Sequence, residues 1–108
     1  EIAAKTYIDG TTTTMEYQME MLPFECTEGV MKLYHMVHDI CVEDGFGDFP
    51  LKHIGGSSDA AYAVIAGVPS LCSCGIQGEW NHTTKEYAIL ESLYTRTKQW
   101  ADVVNHIK

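Results

Sequence analysis

The chain has 108 residues, 45% of them hydrophobic and 20% charged, which is ordinary globular usage and predicts one domain with a modest core instead of disordered or low-complexity sequence. Seven Lys and Arg against fifteen Asp and Glu leave a net charge of -8 with no basic cluster, so nucleic acid is excluded as a partner. No apolar run approaches the roughly 20 residues that span a bilayer, and no signal-peptide pattern opens the chain, which predicts a cytoplasmic protein with no membrane partner.

Residues 1–8, EIAAKTYI, read as the last turns of a helix ended by Asp9-Gly10; a helix already under way at Glu1, with no Met before it, points to a processed or cut piece of a longer chain. In residues 11–22, Met15, Tyr17, Met19 and Met21 alternate with Glu16, Gln18 and Glu20, the period of a half-buried strand. Its partner is not evident in the sequence, so pairing with missing sequence or another chain is expected. Pro23 closes that strand. Thr27 is the expected N-cap of a helix reaching about Glu43, along which Val30, Leu33, Tyr34, Val37, Ile40 and Cys41 make one buried stripe. His35 and His38 sit three apart on it and read as an exposed or partly buried pair. Asp44-Gly45 stops the helix, and a loop leads to a short strand at 51–54.

The chain is organised around residues 55–86, GGSSDAAYAVIAGVPSLCSCGIQGEWNHTTKE. Gly55 and Gly56 permit close approach of a ligand, and Ser57 or Ser58 can cap the next helix, 59–66. The first turn of that helix is either a dock for a substrate carboxylate or simply a turn stabilised by Asp59, and spacing alone leaves both open. Gly67 ends the helix and an apolar strand, 70–74, follows. With 51–54 it suggests a parallel sheet, at whose C-terminal edge ligand sites gather. The next loop carries His82, an imidazole suited to zinc. Beyond it, residues 91–107 form an amphipathic helix with Leu93, Trp100, Val104 and Ile107 inward. Cys26, Cys41, Cys72 and Cys74 read as reduced thiols; Cys72 and Cys74 share a strand face as small core residues, since the spacing of a zinc-ligand pair is absent.

Taken in order, Gly55-Gly-Ser-Ser-Asp-Ala-Ala-Tyr-Ala63, Gly67-Val-Pro69, Gly75 through Asn81-His82 to Glu86-Tyr87, and Glu91-Ser-Leu93 resemble the C-terminal segment of the glutamate carboxypeptidase, aminoacylase and acetylornithine deacetylase family of zinc exopeptidases. The resemblance spans about residues 11–107. It implies an α/β fold: a partial three-layer sandwich of mostly parallel strands in residues 23–108, the C-terminal part of a catalytic domain, with residues 1–22 ending a lid or dimerisation domain and leaving one lid strand. It further implies His82 as a ligand in a two-zinc site, Gly56 and Ser57 as substrate-binding positions, and Asp59 as an orienting residue. The implied reaction is hydrolysis of the amide bond of a peptide or N-acyl amino acid by a metal-activated water. The implied partners are that substrate, the missing N-terminal part of the same protein and, at full length, a second copy in a homodimer. The family's other ligands, its bridging aspartate and its general-base glutamate have no match here, so the chain alone is expected to be inactive. The alternatives are a stand-alone binding or oligomerisation module that kept the fold remnant and lost the chemistry, and a cysteine-based metal or redox module.

Overall fold

Thr27 caps a helix that packs against the C-terminal one. In the computed structural model, which describes residues 2–17 and 21–107, its backbone is extended and its hydroxyl oxygen accepts the Val30 N–H at 3.3 Å. The helix it caps, α1, spans Glu28–Glu43 and ends where Asp44 and Gly45 turn the chain, Gly45 at a φ of 78°. Val30, Val37 and Cys41 are buried on it, with Leu33, Tyr34 and Ile40 half-buried between them, as the apolar spacing predicts. Gly29 in its first turn stands against the Pro69 ring. A Cβ at position 29 would lie 2.9 Å from Pro69 Cγ, so only glycine lets the 68–74 segment lie so close to the helix.

Three shorter elements and one long helix follow. Helix α2 spans Ala60–Ile65, β1 Gly78–Glu79, β2 Tyr87–Ala88 and α3 Leu90–His106. The core joins the C-terminal halves of α1 and α3: Val37, Cys41 and Val103 are at most 2% exposed, and Leu33, Ile40, Phe46, Phe49, Leu71 and Trp100 close around them. Burying a valine of this kind contributes about 1.5–3 kcal/mol. A polar side chain, Gln99, lies between the helices. Gln99 is 1% exposed, and its amide donates to Cys41 Sγ at 2.9 Å while its oxygen accepts from Arg96 at 2.6 Å, so burial leaves none of its groups unpaired. The inward face of α3 therefore runs through Ser92, Gln99 and Val103, whereas Leu93, Val104 and Ile107, expected inside, are 45%, 65% and 51% exposed.

The expected parallel-stranded three-layer sandwich is not what the chain forms. Its one sheet among the described residues is a two-stranded antiparallel hairpin, with Gly78 opposite Ala88 and Glu79 opposite Tyr87. Segments 51–54 and 70–74 are irregular, and Ser73 enters the left-handed region at φ 61°, which breaks the second of them. A run of four or five apolar residues becomes a strand only when a neighbour takes up its N–H and C=O groups, and neither segment finds one among the described residues. The lid strand is likewise absent from 11–17 and 21–22, which carry no regular secondary structure and are exposed, with Met15 at 76% and Tyr17 at 73%; Gln18, Met19 and Glu20 lie outside the described residues. At the N-terminus, a single 3₁₀ turn at Ile2–Ala4 replaces the expected helix end, and the turn at Asp9-Gly10 closes through the Thr11 N–H to the Ile8 carbonyl at 3.2 Å.

The result is an extended molecule. Its radius of gyration is 19.8 Å, against about 13 Å for a compact chain of this length. Its accessible surface is 9045 Å², against roughly 6,000 Å² for a compact monomer. Among the described residues no helix is long and apolar enough to cross a membrane.

Candidate functional site

His82 stands at the tip of the β1–β2 hairpin, and a local mesh of hydrogen bonds shapes that tip. The Trp80 carbonyl accepts the Thr83 N–H at 3.1 Å and the Thr83 hydroxyl at 2.7 Å; the same hydroxyl accepts the Lys85 N–H at 3.1 Å. The Glu86 N–H donates to the Thr83 carbonyl at 3.2 Å, and the Glu86 carboxylate reaches back to accept the His82 N–H at 3.2 Å. Two residues of this turn, Trp80 and His82, hold left-handed backbone at φ 61° and 64°. Such a conformation costs a residue with a Cβ about 1–2 kcal/mol, so surrounding bonds must impose it. The imidazole of His82 makes no hydrogen bond or ion pair among the described residues and is exposed.

The hairpin base is fixed to α3. Ser92 accepts the Gln77 N–H at 2.9 Å and donates to the Ile89 carbonyl at 2.6 Å, while the Ile89 N–H donates to the Gln77 carbonyl at 2.8 Å. Across the ladder, the Tyr87 hydroxyl donates to the Glu79 carboxylate, which raises the phenol above its ordinary range. An open cavity of about 240 Å³ lies beside these groups, lined by Ile76, Gly78, Asn81, Glu86, Tyr87 and Ala88. Its walls can offer a ligand the Asn81 amide, the Glu86 carboxylate and the Tyr87 ring.

The substrate-binding positions, Gly56 and Ser57, lie in an exposed turn elsewhere, and among the described residues no hydrogen bond ties them to the His82 loop. Gly55 and Gly56 are not in left-handed backbone, and a Cβ at either would meet nothing within 4 Å. The folded chain by itself therefore makes no demand for glycine there. Ser58 is the capping serine: its oxygen accepts the Ala60 N–H at 3.2 Å, whereas Asp59 makes no side-chain cap to α2.

A zinc site needs about four donors, three or more of them from protein. Among the described residues no three His, Cys, Asp or Glu side chains are grouped to hold a metal ion, so His82 alone does not fit a two-zinc centre. His35 is exposed and His38 half-buried, as the sequence predicts. His38 bridges two carboxylates, Nδ1 to Asp39 at 3.2 Å and Nε2 to Asp48 at 3.0 Å, and packs against the Tyr34 and Phe49 rings. The Asp39 and Asp48 carboxylates raise its pKa above 6.5.

Sequence reasoning passed over one arrangement entirely. Ser58 Oγ lies 2.9 Å from Cys72 Sγ, joining the capped turn of α2 to the 70–74 segment. The pair is 14 residues apart in the chain, so no local spacing signals it. No protein-family model, no curated protein and no solved structure matches this chain.

Proposed function

We propose that this chain is part of a zinc-dependent amidohydrolase that cleaves a peptide or an N-acyl amino acid, and that it contributes one histidine donor and a substrate-docking turn to a site completed from outside these 108 residues. The observation that carries this reading is the backbone of His82, left-handed at φ 64° and held there by Glu86. Strain of this kind clusters at functional positions. Here its effect is to present the imidazole to solvent at a hairpin tip while the N–H behind it is tied down. Gly56 and Ser57, exposed and outside any helix or strand, offer backbone N–H groups and a hydroxyl to a substrate carboxylate. With one histidine donor against the three or more that zinc takes from protein, this reading expects the isolated chain to be inert.

A second reading, a binding or oligomerisation module without chemistry, draws on the exposed apolar side chains of α3, with Leu90, Tyr94 and Val104 each about two-thirds exposed. The two readings part on one experiment, which compares the 108-residue chain with the longest polypeptide that its gene encodes. The amidohydrolase reading expects no hydrolysis of N-acyl amino acids or dipeptides by the short chain, zinc-dependent hydrolysis by the long one, and a loss of roughly 100-fold or more in kcat/KM in its His82→Ala variant. Full activity in that variant, or turnover by the short chain, overturns it.

A further inference from the structure

Cys72 and Cys74 are separated by one left-handed residue, Ser73 at φ 61°, and they occupy different environments. Cys72 is exposed; Ser58 Oγ is 2.9 Å from its sulfur and Ser73 Oγ 3.8 Å. Cys74 is half-buried, with its Sγ 3.6 Å from the Cys72 carbonyl oxygen, and it lines an apolar groove with Leu33, Val37 and Trp100. The Trp100 indole donates to the Cys74 carbonyl at 2.6 Å, which anchors the backbone of the pair against α3. An extended chain would set the two Cα atoms about 6.6 Å apart, the upper edge of what a disulfide spans.

We propose that Cys72 and Cys74 form a redox dithiol whose substrate is a hydroperoxide, Cys72 attacking and Cys74 resolving. The Ser58 hydroxyl is placed to donate to a thiolate at Cys72, and its hydrogen bond lowers the Cys72 pKa below the ordinary thiol value, with Ser73 adding to the effect. Burial, and then the charge of Cys72, raise Cys74, which stays protonated. In the first step the Cys72 thiolate attacks the terminal peroxide oxygen. A sulfur–oxygen bond forms, the O–O bond breaks, and the leaving alkoxide or hydroxide takes a proton from water, so the peroxide is reduced by two electrons and Cys72 becomes a sulfenic acid. In the second step the Cys74 sulfur attacks the Cys72 sulfur. The S–S bond forms, the S–O bond breaks, and the departing hydroxyl leaves as water with the Cys74 proton.

This inference goes beyond the amidohydrolase reading and is independent of it, because its assay contains no zinc and no amide substrate. The test treats the full 108-residue chain with hydrogen peroxide and follows each cysteine by alkylation and mass spectrometry, with exposed Cys26 in the same molecule as the reference thiol. The expected result is oxidation of Cys72 about tenfold faster than Cys26, ending in a Cys72–Cys74 disulfide. In Cys74→Ser the reaction stops at a sulfenic acid that dimedone traps at Cys72. In Ser58→Ala the rate advantage over Cys26 shrinks. Equal rates at Cys72 and Cys26 in the wild-type chain overturn the proposal, as does an oxidised product in which Cys72 and Cys74 are not joined.

Discussion

The α1–α3 core and the His82 hairpin are held together by opposite means. Between the helices, Val37, Cys41 and Val103 lose nearly all contact with water, and even the polar Gln99 is fully hydrogen-bonded. In the hairpin every residue from 75 to 91 is exposed, and shape comes from short hydrogen bonds among near neighbours around Thr83, Glu86 and Ser92. The first region is stabilised by apolar area removed from water, the second by local geometry that water competes for. A core so built resists small changes poorly and a tip so built tolerates them, so His82 sits where the backbone can adjust without cost to the whole.

Four changes break or sharpen that contrast. The largest effect is expected from Val103→Ala, which opens a cavity against α1 and should lower unfolding free energy by about 2 kcal/mol in a urea titration. Thr27→Ala removes the oxygen that accepts the Val30 N–H and should cost about 1 kcal/mol in the same titration. His82→Gly relieves left-handed strain at the tip and should leave the global midpoint within about 0.5 kcal/mol of wild type, slowing amide exchange only in the hairpin; a loss as large as that of Val103→Ala would mean that the two regions are one cooperative unit.

The smallest effect concerns pH. His38 faces Asp39 on its own helix and Asp48 across the loop, with the Tyr34 and Phe49 rings beside it, and both carboxylates raise its pKa in the folded chain. The stabilisation from its charged form is thus fully present below the unfolded value of about 6.5 and fades as pH rises through the higher folded value. Thermal melts of wild type and His38→Gln should differ below about pH 6 and converge above the folded pKa; a constant difference across that window would remove the ionic bridge from the account.

How much of this the sequence discloses depends on whether a signal is local. Helix α1 was legible from end to end, because its cap, its stripe and its Asp44-Gly45 stop are all written within one helix length. The hairpin turn was legible as a loop bearing His82, though not as left-handed backbone, which follows from the bonds of Glu86 and Thr83. The strands at 51–54 and 70–74 failed because strand identity depends on a neighbour that the run itself does not specify. On α3 the apolar residues misled: Gln99 is the buried one because Cys41 and Arg96 satisfy its amide, a circumstance visible only once the helices meet. Ser58 and Cys72 were missed for the same non-local reason.

The meeting of Gly29 with Pro69 bears on how this chain can change. Any side chain at position 29 must push the proline ring away, and with it the segment that leads to Cys72 and Cys74. Randomising position 29 and selecting for folded protein should return glycine almost alone, while randomising Pro69 in a Gly29 background should admit a broad set of residues. Tolerance at this junction is one-sided: the helix can yield no room, and only the loop can vary.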